Sequence, residues 1–229
     1  MQQLPLELRW RALHSLDVFV FADAGTRALM QSAITPESIQ PLLLLGPKGA
    51  GKSALMQGLA GYLGQQGKAA EVLELSDKTT ESEIENAELA LFDGLENLAP
   101  ALEWTLFSRF NRSHDQRSVL VVSSALGLDD LAIELPDLRS RLAQCLPIQL
   151  PLLQRETDRR AVLMRQADSY GLSLSSELLD FLMIHVSRDL AALAQVLKFL
   201  HTESLSRKKP LTLAQARIGL RGLPVPGAV

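Results

Sequence analysis

Cysteine is almost missing from this sequence, with Cys145 the only one among 229 residues. One thiol cannot close an internal disulfide or build a thiolate zinc site, which fits a reducing, cytoplasmic setting. Cys145 itself reads as a small core residue. Long apolar runs are missing too. Leu42–Leu45 is far shorter than a membrane span, so no membrane association is expected. Met1–Glu7 lacks the basic start and apolar stretch of a secretion signal. Positive charge is not in excess: the net charge is −3, which argues against a chain built to coat nucleic acid. Arg207-Lys208-Lys209 reads as a solvated loop before Pro210. The four histidines show no ligand spacing, and Trp10 and Trp104 read as packing residues.

What is abundant is hydrophobic material, 47% of the chain, enough for a core without disulfides in one medium domain and a smaller appendage. Short apolar runs occur at Leu42–Leu45, Val72–Leu75, Leu89–Phe92, Val119–Val122 and Ile148–Leu150. Helical patterns separate them, such as Leu55, Leu59 and Leu63 at i, i+4 and i+8. Strands alternating with helices, each strand nearly continuous in apolar residues, imply a parallel sheet covered on both faces. After Pro151 the pattern is helical only: 155–170, 176–186, 188–204 and 213–220. Ser175, Ser187 and Thr212 read as caps and Gly171 as a stop. The expected organisation is an N-terminal arm (1–12), an α/β core (13–151), a helical domain (152–222) and a frayed tail (223–229).

Chemistry concentrates at Gly46-Pro47-Lys48-Gly49-Ala50-Gly51-Lys52-Ser53, which matches G-x-x-x-x-G-K-[ST] at every fixed position. The glycines let backbone N–H groups turn inward on phosphates. Lys52 would reach the β- and γ-phosphates, and the Ser53 hydroxyl would ligate Mg²⁺. A helix opening at Ala54 would add its positive N-terminal end. Without nucleotide, Lys52 is expected to face solvent. Leu89–Phe92 followed by Asp93 is a hydrophobic strand ending in a carboxylate, the form of the Mg²⁺-associated Walker B element. Gly94 stands where many such ATPases carry a second acid, and Glu96 is one turn off register, so slow intrinsic hydrolysis is expected.

With these motifs in place, the chain resembles the AAA+ core of the DnaA-related replication-initiation family, and more closely its short Hda-type regulatory members. Leu135-Pro136-Asp137-Leu138-Arg139-Ser140-Arg141-Leu142 resembles box VII, which implies that Arg141 serves as an arginine finger on a neighbour's nucleotide. Val186-Ser187-Arg188-Asp189-Leu190 resembles the sensor 2 region, which implies that Arg188 reaches the γ-phosphate within the same subunit. Ser123 or Ser124 would fall at sensor 1. Asp17-Val18-Phe19-Val20 resembles the stretch beside the adenine, placing Val18 and Phe19 there. Gln3-Leu4-Pro5-Leu6 resembles the Q-L-x-L peptides that dock on the sliding clamp, the β subunit of DNA polymerase III, through Gln3, Leu4 and Leu6. A guanidinium is always charged and fits phosphate bidentately, which suits both arginine roles.

The resemblance therefore implies a five-stranded parallel AAA+ core with a helical lid, ADP or ATP with Mg²⁺ as ligand, and DnaA and the clamp as partners. Hydrolysis of DnaA-bound ATP would be the stimulated reaction, and homo-oligomer formation stays open. The last helical pattern lies near the end of the sequence and the first strand begins at Leu42. Neither an initiator's DNA-reading helix-turn-helix domain nor its helicase-interaction domain is expected, so sequence-specific DNA binding is not expected either. Two rivals stand beside this reading: a helicase-loader-like or other AAA+ adaptor without a clamp partner, and a small-molecule P-loop kinase. The multi-helix segment after Pro151, unlike a short Arg-rich lid, weighs against the kinase.

Overall fold

A computed structural model describes residues 16, 19, 24–34, 40–87, 89–152, 155–185, 196, 197, 199–202 and 213. The chain divides into two compact units, Phe21–Leu153, and Met1–Val20 together with Gln154–Val229.

The first unit alternates helix and strand: α1 (Ala24–Ala33), β1 (Leu42–Leu45), α2 (Lys52–Gln65), β2 (Val72–Glu74), α3 (Glu81–Asn86), β3 (Ala90–Asp93), α4 (Glu103–Asp115), β4 (Leu120–Ser124), α5 (Pro136–Ala143) and β5 (Leu146–Gln149). The strands pair in parallel in the order β2-β3-β4-β1-β5, the five-stranded sheet expected from the alternation. β1 is buried at all four residues because it has a neighbour on each side and helices on both faces. β5 lies at the edge and buries only Ile148. Pro147 is tolerated there because its missing N–H costs no inner ladder bond.

Strand alternation sorts the side chains. Leu43, Leu45, Phe92, Leu120 and Val122 share one cluster with Ile84 of α3, Leu106 and Phe110 of α4, and Leu138 and Leu142 of α5. Their sequence neighbours Leu42, Leu44, Leu91 and Val121 point to the opposite face, where α2 packs on β2, β3 and β4. Leu55, Leu59 and Leu63 of α2 are fully buried, as their spacing implies, each contributing about 2 kcal/mol. By the same alternation Asp93, Ser123 and the start of α2 share a face. α3 opens with a Thr80–Glu83 capping box, which satisfies two otherwise orphaned N–H groups.

In the second unit all regular structure among the described residues is helical: α6 (Glu156–Ser169), α7 (Ser176–His185) and isolated helical residues from Val196 onward. Gly171 ends α6 as expected. At φ 66° it adopts the left-handed turn that lets the Leu172 N–H reach the Ala167 carbonyl at 2.9 Å. Ser175 caps α7, its hydroxyl accepting from the Leu178 N–H at 3.2 Å. Leu163, Leu178, Leu182, Leu197 and Leu200 are wholly buried. The caps read at Ser187 and Thr212, the arm and the tail lie outside the described residues. No described helix is long and apolar enough to cross a membrane.

Candidate functional site

The glycine-rich loop read as phosphate-binding connects β1 to α2. Gly46 leaves β1 with its N–H on the Ser124 carbonyl at 3.2 Å. A Cβ at Gly46 would lie 2.2 Å from the Leu150 carbonyl oxygen, so no side chain fits between the sheet and the loop. Gly49 and Gly51 have φ of 85° and 90°, conformations that L side chains rarely adopt. Lys52, Ser53 and Ala54 then form the first turn of α2, whose opening N–H groups have no earlier helical carbonyl to bond. Pro47, Lys48, Ser53 and Ala54 are exposed, and Ala50 is buried. Neutral N–H donors, an ammonium and a hydroxyl in one turn form a donor set suited to a polyphosphate.

Lys52 corrects an expectation. It is 8% exposed, and its ammonium donates to the carbonyls of Gly46 at 2.5 Å and Pro47 at 3.2 Å. The loop's own carbonyls hold the cation because they curl toward the helix that presents it. Burial pushes the Lys52 pKa down, opposed by the charge of Glu96 and, more weakly, Asp93.

Asp93 ends β3 and Ser123 lies one residue before the end of β4. The Ser123 hydroxyl donates to the Asp93 carboxylate and accepts the Gly94 N–H at 3.1 Å. Of the two serines left open by the sequence, Ser123 reaches Asp93, while the Ser124 hydroxyl accepts locally from the Leu126 N–H at 3.0 Å. Gly94 has φ 86°, and a Cβ there would lie 2.9 Å from the Asn97 side-chain nitrogen. The missing second acid is therefore a property of the backbone as well as of the residue. Glu96 is turned to the end of β4, where it accepts the Ala125 N–H at 3.0 Å.

Arg141 lies on α5, half-buried, and among the described residues its guanidinium has no hydrogen-bond or ion-pair partner. Arg139, two residues earlier, donates to the carbonyls of Leu131 and Ile133, each at 3.1 Å. Phe19 is half-buried and belongs to the other unit. Val18, Arg188, Gln3, Leu4 and Leu6 lie outside the described residues, as do Trp10 and Arg207-Lys208-Lys209. No metal-binding group of His, Cys, Asp or Glu occurs among the described residues.

One aromatic departs from the sequence reading and two buried charges escaped it. Trp104 packs only in part: its ring lies 5.5 Å from that of Phe107, and it is 62% exposed. Arg109 is buried on α4 and donates to Ser113 at 2.8 Å and to the Ala87 carbonyl at 2.8 Å, tying α4 to the end of α3. Glu103 is buried at the start of α4. Neither of the two charged residues has a sequence signal, since a charged side chain on an amphipathic helix reads as solvated.

The model of the family described as "Hda, lid domain" matches residues 156–217. An uncharacterized protein of Haemophilus influenzae is 32% identical over 185 residues, covering 76% of this chain and 79% of that protein. The chromosomal replication initiator protein DnaA 1 of Chlamydia pneumoniae is 28% identical over 210 residues, covering 81% of this chain and 45% of the initiator. The chain thus spans about half the length of the DnaA relatives it matches. Among solved structures, domain III of the Thermotoga maritima replication initiation protein DnaA superposes with a TM-score of 0.68 at 21% identity, covering 91% of this chain and 95% of that one. AMPPCP-bound DnaA from Aquifex aeolicus gives 0.63 at 17% identity, with coverages of 85% and 67%. The Thermotoga maritima RuvB Holliday junction branch migration motor gives 0.61 at 16%, with coverages of 93% and 73%, a likeness of fold. Lid, sheet order and phosphate loop converge: this chain belongs to the Hda/DnaA-related family of AAA+ proteins.

Proposed function

We propose that this chain is an Hda-type regulator of replication initiation. It binds ADP or ATP, docks on the DNA-loaded sliding clamp through Gln3, Leu4 and Leu6, and stimulates hydrolysis of DnaA-bound ATP. The lid match supports the Hda-type assignment, and the likeness to a DnaA bound to AMPPCP supports an adenine nucleotide as ligand. In this reading residues 13–151 form the nucleotide-binding core and 152–222 the lid. Residues 46–54 cradle the phosphates, Ser53 and Asp93 hold Mg²⁺ through the nucleotide, Val18 and Phe19 lie beside the base, and Ser123 and Arg188 sense the γ-phosphate.

The observation that carries the partner-directed role is the contrast between two arginines. Arg139 bonds two carbonyls of its own subunit through Nη2, whereas Arg141 leaves a guanidinium without a partner among the described residues. Two residues along an α-helix are about 200° apart around the axis, so the two side chains leave α5 on different sides. Charge builds on the γ-phosphate oxygens during hydrolysis. A guanidinium supplied there from a neighbouring subunit stabilises the transition state more than bound ATP. Weak intrinsic turnover follows from Gly94, which offers no acid beside Asp93.

The test is a pull-down of purified clamp and DnaA by this chain, with ATP and with ADP, beside the ATP-to-ADP ratio on labelled DnaA. Capture of both partners and accelerated conversion are expected. Capture of neither, with conversion at the unassisted rate, contradicts the reading. Conversion without clamp capture favours an adaptor that works without the clamp.

A further inference from the structure

The segment that delivers Arg141 has no helix or strand of its own between Leu131 and Leu135. It is held by two charged side chains of opposite sign. Glu103, 3% exposed in the first turn of α4, accepts the Glu134 N–H on both carboxylate oxygens at 3.0 Å and the Leu135 N–H at 2.6 Å. Arg139 reaches back from α5 to the carbonyls of Leu131 and Ile133. Two donors and two acceptors of one five-residue stretch are thus bonded by one carboxylate and one guanidinium.

The consequence falls on α5. Leu135 immediately precedes the helix and its apolar side chain provides no cap, so the Glu103 carboxylate, beside Asp137 in the first turn, adds negative charge favoured at that end. Pro136 fixes the first helical φ, and Leu138 and Leu142, wholly buried, seat one face of the helix in the core. Glu103 then sets the axial position of the helix start from α4, and Arg139 locks the helix to the loop it has just left. These contacts bear on the rotation and translation of α5, the helix that carries Arg141. A buried carboxylate is costly unless fully bonded, and a neutral residue would fill the same space more cheaply.

We propose that Glu103 and Arg139 are positioning residues for Arg141: they contact no nucleotide but aim the guanidinium at a neighbouring subunit's phosphates. This rests on the arginine-finger reading above. A catalytic group displaced by about 1 Å can lose on the order of 10²-fold in rate.

The test uses the full chain in four forms: unmutated, E103Q, R141A and the double variant. Nucleotide affinity is measured for each, together with the saturating rate and half-saturating concentration for ATP hydrolysis on DnaA in the presence of clamp on DNA. E103Q keeps the size of the side chain and replaces one acceptor with a donor facing the loop N–H groups. It should lower the saturating rate on the order of 10- to 10²-fold, with half-saturation and nucleotide affinity unchanged. It should cause no further loss when R141A is already present. R139A, at an exposed residue whose removal leaves the core intact, should show the same dependence on Arg141 and serves if E103Q fails to fold. Equal losses in both backgrounds, or full stimulation by E103Q and R139A while R141A is inactive, overturns the positioning role alone. Full stimulation by R141A, or none by the unmutated chain, overturns the finger reading and this proposal with it.

Discussion

Ser123 and Asp93, from adjacent parallel strands, are joined by a hydrogen bond from hydroxyl to carboxylate, and the same hydroxyl receives the Gly94 N–H. The pairing of Phe92 with Val122 puts the next residue of each strand side by side on the face shared with α2. The carboxylate read as the Mg²⁺-associated acid is therefore oriented by the neighbouring strand, and the backbone after it is held in a left-handed turn.

That turn makes a specific prediction for Gly94→Glu. The substitution places a second acid beside Asp93, yet it should not create a fast ATPase. A side chain at φ 86° costs about 1 to 2 kcal/mol. Its Cβ also meets the Asn97 side chain. Denaturant unfolding should show the loss of stability, and turnover should remain slow. A fully stable variant with robust turnover would contradict this account of the gap.

Lys52→Ala should abolish or severely weaken binding of ATP and ADP while the fold survives. Each hydrogen bond from a charged donor is worth about 1.5 to 3 kcal/mol, so losing the phosphate contact costs on the order of 10- to 10²-fold or more in affinity. Because the ammonium also holds the Gly46 and Pro47 carbonyls, the loop should become more protease-sensitive without nucleotide. Equilibrium dialysis measures the affinity, and unchanged values for both nucleotides would refute the phosphate-loop reading.

Cys145 should be inert in the folded protein. Burial pushes its thiol up to about 12, and its sulfur lies 3.4 Å from the Arg141 carbonyl. A raised thiol pKa means that the thiolate is scarce at about pH 8.5, where a free thiol is half ionised. Alkylation at that pH should be slow for native protein and rapid after denaturation. Rapid labelling of the native chain would show that this part of the core opens.

The N-terminal peptide is tested by changing Gln3, Leu4 and Leu6 together to Ala. Clamp binding should disappear and nucleotide affinity should stay as it was. Surface plasmon resonance on immobilised clamp measures the first, and undiminished binding would remove these residues from the clamp contact.

Much of the fold was legible because its signals are local. β1 and β4 are buried inner strands, and α2 carries its leucines at helical spacing, so periodicity found all three. β4 runs on through Ser123 and Ser124, beyond its apolar run, because polar residues at the end of an inner strand find partners in the site. The apolar run Ile148–Leu150 marks β5 late and short because an edge strand needs only Ile148 buried. The glycine-rich turn between β1 and α2 was legible through fixed spacing, but the burial of Lys52 was not, since spacing does not say which way loop carbonyls turn. Glu103 and Arg139 were invisible for a different reason. Their partners are backbone groups about 30 and fewer than ten residues away, and a sequence gives no sign of which backbone groups lack a bond.

The stimulated reaction tests the central claim most directly. Labelled ATP is loaded on DnaA, and the ATP-to-ADP ratio is followed after adding clamp on DNA and either the unmutated chain or Arg141→Ala. Arginine fingers supplied in trans are worth on the order of 10³ to 10⁵ in rate. The unmutated chain should therefore convert DnaA to its ADP form, and Arg141→Ala should not, although it still binds clamp and nucleotide. Arg139→Ala should fall between them. Full conversion with Arg141→Ala contradicts the finger assignment, and no conversion with the unmutated chain contradicts the functional reading as a whole.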